Sequence, residues 1–335
     1  MTLCRRTRVL RALLVLAASA LATVAVAVAV IHGFFPRVGP ARALRIRETS
    51  EGLARGRYLV EHVAVCVGCH SQRDFDRFGM PIVGRPGGGW GDRRRGGLAM
   101  EIEGLPGRIV PANITPDRET GIGRWSDGEI VRAIREGIRR DGSAIFPLMP
   151  YEDYRRMSDF DVGAIVQVLR RLEPVRRRVP RSAVRFPEST LMRLAPRPVD
   201  RAVAEPDRGD EVRYGEYLAA LGGCIECHTP WIQGRRHEDE LMSGGNRFRT
   251  RRWTVWAPNL TPDPETGLRL DEDQFVELFR QYRPVADGRV PARRAVRRNT
   301  VMPWLAFAGL EERDLRAIWR WLQSLPPIRA ARTRG

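Results

Sequence analysis

Two short stretches carry side chains able to do chemistry, "CVGCH" at residues 66–70 and "CIECH" at residues 224–228. In each, two cysteines flank two residues and a histidine follows directly. Such a set can hold zinc, exchange disulfides or attach haem through two thioether bonds, with the histidine on iron. Zinc sites built from two Cys-x-x-Cys pairs place them much closer in sequence than Cys69 and Cys224. Zinc also gives no reason for a histidine after both pairs. A thiol-exchange motif needs a βαβ context, which is missing. Haem attachment accounts for all six residues. Cys66, Cys69, Cys224 and Cys227 are expected to anchor two covalently bound c-type haems, with His70 and His228 as axial ligands.

The surroundings of the two motifs match. "GRYLVEHVAVCVGCHS" (56–71) aligns with "GEYLAALGGCIECHT" (215–229), the second having one residue fewer. "NITPDRETGIG" from Asn113 matches "NLTPDPETGL" from Asn259, and "LMPYEDY" around Met149 matches "VMPWLAF" around Met302. Four landmarks in the same order mean two copies of one domain. The remaining axial position on iron is best filled by a methionine sulfur in an electron carrier. Met80, Met100, Met149, Met157, Met242 and Met302 are available. Only Met149 and Met302 recur, each before a proline that stiffens its loop, so these are the expected ligands. The others read as packing or surface residues. The ring nitrogen of each histidine turned away from iron needs a carbonyl partner, for which Pro111 and Pro258 are candidates; the two Asn-x-Thr-Pro-Asp segments can equally be plain turns. Trp125, Trp253, Trp256 and Trp304 are candidates for lining the haem edges or for filling the core.

Helices must position these groups. Ser126-x-x-Glu129 is a capping box for a helix with Ile130, Ile134 and Ile138 on one face. Asp271-x-x-Gln274 is its counterpart, followed by Phe275 and Phe279. Ser158 caps a helix that turns Val162, Ile165, Val166, Leu169 and Leu172 inward and stops before Pro174. The last helix of the second copy presents Leu315, Ile318, Trp319, Leu322 and Leu325 before Pro326. No stretch alternates with period two for long enough to suggest a sheet. Residues 85–97, "RPGGGWGDRRRGG", form a loop without the Gly-Lys-Ser/Thr ending of a phosphate cradle. Residues 174–208 hold six prolines and many arginines and read as an extended linker. Residues 36–50 form a shorter tether.

Location follows from the N-terminus. Arg5, Arg6, Arg8 and Arg11 precede twenty uncharged residues from Ala12 to Ile31, long enough to span a bilayer with the arginines on the cytoplasmic side. A cleaved signal peptide is the rival, since Ala25-Val26-Ala27 resembles a cleavage site. Either way the chain beyond residue 36 is expected outside the cytoplasm, where free vicinal thiols do not persist. Cys4, ahead of the apolar run, reads as incidental. The 335-residue chain carries 57 basic against 40 acidic residues, net +17, and every basic residue is arginine. A GC-rich genome accounts for that usage; a surface that attracts acidic partners and anionic lipid is the functional reading. Nucleic acid is not an expected partner, because no helix-turn-helix, zinc finger or aromatic-studded basic strip accompanies the charge.

With glycine and an aromatic in the first helix, Cys-x-x-Cys-His, a methionine about 75 to 80 residues on and a closing helix, each copy resembles a class I cytochrome c domain. The paired "NITPDRETGIG" and "MPY" or "MPW" elements more narrowly resemble the membrane-anchored cytochrome c subunits of bacterial periplasmic dehydrogenases for alcohols, sugars and gluconate. The resemblance covers residues from about 53 to 325. Those subunits commonly carry three haems, against two attachment motifs here. It implies an all-α fold of two tandem class I cytochrome c domains, 53–173 and 209–328, joined by the linker 174–208 and preceded by a transmembrane anchor, 1–35. The implied function is a relay of single electrons on the periplasmic face of the inner membrane. The expected partners are a periplasmic dehydrogenase subunit, a terminal oxidase or another cytochrome. An enzyme is the alternative: a dihaem cytochrome c peroxidase also has two such motifs, but it needs one open haem position. A haem-based sensor or purely structural anchor is a third reading.

Overall fold

The computed structural model describes residues 2–90, 105–232, 235–249, 254–291 and 299–329. Its fold is mainly helical. Helix α1 (Thr2–Phe34) contains a 27-residue stretch, Arg8–Phe34, in which an 18-residue window reaches a mean hydropathy of 2.7. Among the described residues it is the one helix long and apolar enough to cross a membrane, and none of its apolar window is buried.

Helix α2 (Ser50–Tyr58) starts at Thr49, whose hydroxyl accepts the Gly52 N–H. It runs into a π-helical turn, Leu59–Val63, closed by the Ala64 N–H on the Leu59 carbonyl at 2.8 Å. Val65 then adopts φ 49° and starts the single turn α3 (Cys66–Cys69). The capping box at Ser126 opens α4 (Asp127–Glu136) as expected. Gly137, at φ 71°, ends that helix, so Ile138 does not extend its face. Ile138 is buried instead in an isolated bridge with Ala144. After the one-turn α5 (Tyr151–Tyr154), Ser158 caps α6 (Asp159–Arg171), which buries Val162, Ile165, Val166 and Leu169. Leu172, just past its end, is partly buried against the same core. The segment that follows contains the short α7 (Glu188–Leu191).

The second half has a similar order, without the π-turn and with one more short helix, Arg283–Ala286. Helix α8 (Glu211–Leu221) is followed by α9 (Cys224–His228), α10 (Glu272–Arg280), α11 (Arg283–Ala286), α12 (Trp304–Phe307) and α13 (Glu312–Ser324). Here Gly223, φ 68°, holds the left-handed position that Val65 fills in the first half. A β-branched residue is strained there and glycine is not. The π-turn explains the length difference between the copies. It takes up the residue that α8 lacks, so both attachment turns leave their helix in the same way.

Three two-stranded ribbons, absent from the sequence expectation, complete the described structure: β1 (Gly107–Arg108) with β2 (Ala183–Val184), β3 (Trp231–Ile232) with β4 (Arg235–Arg236), and β5 (Arg247–Arg249) with β6 (Thr254–Trp256). They are too short for periodicity to show. β2 and α7 lie within 174–208, which therefore carries short ordered elements. The tether is also packed down: the Ile46 N–H donates to Asp127 at 3.0 Å and the Thr49 N–H to Gln167 at 2.9 Å.

In each half the first helix crosses the last at a glycine. A Cβ on Gly56 would overlap the Ala164 carbonyl, and one on Gly215 would overlap that of Ala317. Gly215→Val is expected to force α8 off α13 and to lower the unfolding free energy by about 3 kcal/mol in a denaturant titration. Gly163→Ala, whose new methyl would meet only Ile46 at 3.8 Å, is the control and should be neutral or stabilising.

One apolar core spans both halves. Two tyrosines join them reciprocally at its edge. The Tyr217 hydroxyl donates to Asp161 at 2.7 Å and accepts the Ser158 N–H at 3.1 Å. The Tyr58 hydroxyl donates to Asp314 at 2.7 Å and accepts the Glu311 N–H at 3.1 Å. Each tyrosine of a Gly-x-Tyr-Leu landmark therefore caps the last helix of the other half.

Candidate functional site

The two Cys-x-x-Cys-His sequences form single helical turns, so both cysteines and the histidine of each project from one short segment. Cys66, Cys224 and Cys227 are partly buried, and Cys69 is exposed. Burial pushes the Cys66, Cys224 and Cys227 thiols up to about 12. Such sulfurs keep their protons at neutral pH. Among the described residues no three His, Cys, Asp or Glu side chains come together as a metal site, so the four cysteines do not converge.

A carbonyl can only accept, so the partner of each histidine fixes its tautomer. His70 Nδ1 donates to the Ala112 carbonyl at 2.8 Å, and His228 Nδ1 donates to the Pro258 carbonyl at 2.9 Å. Burial lowers both imidazoles from their ordinary value, which keeps them neutral. Nε2 of each therefore presents a lone pair. Pro111 is not the partner in the first half. The register counts back from the asparagine, and Ala112 is the residue before Asn113 just as Pro258 is the residue before Asn259.

The Asn-x-Thr-Pro-Asp segments are turns as well as carbonyl carriers. Asn113 Oδ1 accepts the Thr115 N–H at 3.0 Å and its Nδ2 donates to the Val175 carbonyl at 2.7 Å. Asn259 does the same with Thr261 at 2.9 Å and the Ile328 carbonyl at 2.7 Å. Each loop is thereby tied to the chain leaving the last helix of its half. Asp117 and Asp263 accept both the N–H and the hydroxyl of Thr120 and Thr266. The threonine hydroxyl bonds hold both carboxyls below the ordinary carboxylate range. A depressed acid stabilises the fold above its unfolded value, and that stability disappears as pH falls through the folded value. Asp263→Asn is expected to melt lower than the unmodified chain at pH 6, with the gap closing towards pH 3; thermal melts across that range measure it.

Met149 and Met302 occupy equivalent turns. The Tyr151 N–H donates to the Met149 carbonyl at 2.7 Å around Pro150 at φ −78°, ψ 51°, and the Trp304 N–H donates to the Met302 carbonyl at 2.9 Å around Pro303 at φ −80°, ψ 60°. These are inverse γ-turns, whose central φ is the one proline imposes. Both methionines are partly buried against the shared core, with Cys66 and Cys224. Of the other methionines, Met80, Met157 and Met242 are buried, in keeping with packing roles. Met100 lies outside the described residues, as do residues 91–97 of the glycine-rich loop and Trp253.

The donor set fits a c-type haem on one further observation. The Tyr151 hydroxyl, two residues past Met149, is buried without a hydrogen-bond partner among the described residues. Such an atom is expected where a bound group brings its own polar edge. When bound, the haem would supply one-electron redox chemistry at iron. The chain's own residues would hold it by Cys66 and Cys69, or Cys224 and Cys227, and orient the imidazoles through Ala112 and Pro258.

Several contributors to the site carry little sequence signal. The Trp90 indole donates to the Cys69 carbonyl at 2.6 Å and the Trp231 indole to the Glu226 carbonyl at 3.0 Å. Among the tryptophans singled out, Trp125 and Trp304 pack on the core, whereas Trp256 is half-exposed on β6. Gly89 and Gly244 donate their N–H to the His70 and His228 carbonyls at 2.8 and 2.7 Å. Arg236 crosses between the halves. It meets Glu226, inside the second attachment turn, at 2.5 Å and Asp153, in the turn that follows Met149, at 3.1 Å. Burial, with repulsion from Asp153, raises the Glu226 carboxyl above its ordinary range.

Over 309 residues the chain is 28% identical to the cytochrome c subunit of a quinone alcohol dehydrogenase from Gluconobacter oxydans, covering 88% of this chain and 59% of that one. The chain is a relative of dehydrogenase cytochrome c subunits. Cytochrome c relatives also include a dihaem c-type cytochrome from Cereibacter sphaeroides, 29% identical over 66% of this chain and 73% of its own. Cytochrome subunits of fructose and gluconate dehydrogenases match as well. A further match, one of the subunits of nicotinate dehydrogenase from Pseudomonas putida, is 40% identical over 70% of this chain but only 19% of its own. The chain spans less than two thirds of the length of these alcohol and nicotinate dehydrogenase relatives. No family model matches it. Kinship with cytochromes c supports covalently bound haem c and electron transfer in general.

Proposed function

We propose that the chain is a membrane-anchored dihaem cytochrome c that relays single electrons on the periplasmic face of the inner membrane. Two class I cytochrome c domains, 53–173 and 209–328, would each carry one haem, on Cys66 and Cys69 and on Cys224 and Cys227. His70 with Met149, and His228 with Met302, are the axial pairs. The observation that carries the reading is the repeated unit of attachment turn, carbonyl-held histidine and methionine in a proline γ-turn. Two closed iron positions suit electron transfer and leave no room for substrate. The relatives' names suggest a dehydrogenase subunit as the donor, with a terminal oxidase or another cytochrome receiving the electron. The arginine-rich surface would steer acidic partners into encounter.

Haem content tests the reading. Pyridine haemochrome analysis of the matured chain should give two haems per polypeptide, and Cys224→Ala with Cys227→Ala should leave one. A matured chain with a single haem, or none, would overturn it.

A further inference from the structure

The head is held against the end of α1 by the segment joining the two halves. His32 Nε2 lies 3.1 Å from the Thr190 hydroxyl, and Thr190 is buried there. Arg193 donates to the His32 carbonyl at 3.2 Å and to the Phe35 carbonyl at 2.5 Å. A guanidinium on the last carbonyls of a helix is favoured by both hydrogen bonding and the helix dipole. Residues 186–194 are therefore fixed beside the point where the apolar run of α1 ends at Ile31.

Beside that point the same segment turns large apolar side chains outward. Phe186 is 64% exposed, Leu191 50% and Leu194 40%, and Phe34 at the end of α1 is 67% exposed. Leu191 and Leu194, three positions apart across a helical turn, share one side. Arg185 and Arg197 flank them and are exposed, against one exposed acid, Glu188. Apolar side chains rimmed by arginine, continuous with the end of an apolar helix, match the boundary between acyl chains and phosphate headgroups. Water-facing leucine and phenylalanine would otherwise form an unexplained apolar patch.

We propose that residues 186–194 are a second membrane contact, with Phe186, Leu191 and Leu194 entering the outer face of the same bilayer that α1 spans and Arg185 and Arg197 meeting lipid phosphates. The proposal rests on the reading of α1 as a retained anchor. It gives the linker a task that its composition does not announce: it sets how the head lies on the membrane, and the packed tether of residues 36–50 keeps that attitude.

Photo-crosslinking in the full, haem-loaded chain tests it. A benzophenone amino acid replaces Val15, Phe186, Leu191, Leu194 or Val212, one at a time, in nanodiscs of phosphatidylethanolamine and phosphatidylglycerol. Illumination should add the mass of one phospholipid at 15, 186, 191 and 194 and leave 212 without lipid. Lipid at 15 with none at 186, 191 and 194, whether they are unreacted or crosslinked to protein, overturns the second contact and leaves the anchor standing. Lipid-free chains at 15 as well overturn the anchor reading, and the second contact falls with it.

Discussion

Asp161→Ala is expected to lower the unfolding free energy by about 3–5 kcal/mol, the cost of leaving a buried charge without its partner. The Arg55 guanidinium, with 9% of its side chain exposed, meets both Asp161 oxygens at 2.8 and 2.9 Å, and Asp161 is 3% exposed. The Tyr217 hydroxyl completes the cluster from the other half. Removing the carboxylate strands the guanidinium in the core and releases the tyrosine that links the halves. Arg55→Met with Asp161→Ala together should cost less than Asp161→Ala alone, since no charge is then stranded. The symmetric position provides an internal comparison. Asp314 bonds Tyr58, but Tyr214 stands where a second buried arginine would be needed, and the other Asp314 oxygen meets the exposed Arg313 guanidinium at 3.4 Å. Burial accordingly raises the Asp314 carboxyl. Asp314→Ala should therefore be markedly milder. Denaturant titrations of the variants decide the point; equal costs at 161 and 314 would contradict this assignment of roles.

Met149→Ala should let the reduced, haem-loaded protein bind one carbon monoxide per chain, and Met302→Ala should do the same at the other site. The double variant should bind two. A sulfur ligand raises the reduction potential, so each substitution should also shift one wave of a potentiometric titration downward and leave the other nearly in place. Pro150→Ala and Pro303→Ala keep the sulfur but loosen the γ-turn. They should give a smaller shift in the same direction. A Met149 variant whose spectrum and potentials match the unmodified chain would remove that residue from the axial pair.

What the sequence revealed is chemistry and local structure. The Cys-x-x-Cys-His turns, the capping boxes at Ser126 and Asp271, the Ser158 cap and the Met-Pro turns are set by neighbours within a few residues, and their residue types announce them. Ile138 continues the period of the helix face, but Gly137 ends the helix one residue before it. Pro111 resembles Pro258 in residue type, but position relative to Asn113 governs, and the carbonyl beneath His70 belongs to Ala112. The π-turn could be inferred only as one extra residue in the first copy. Arg236, Trp90, Trp231 and the Tyr–Asp exchange between halves connect positions with no common spacing. Arg236 and the Tyr–Asp exchange exist because the two halves pack against each other, and the pattern of one half contains no information about that packing.

The most direct measurement of the central claim is an optical spectrum of the reduced, matured protein before and after carbon monoxide. The account predicts a c-type spectrum from two haems that carbon monoxide leaves unchanged. A site that takes up carbon monoxide readily in the unmodified chain would contradict two closed electron-transfer centres, and absence of any c-type spectrum would contradict haem attachment itself.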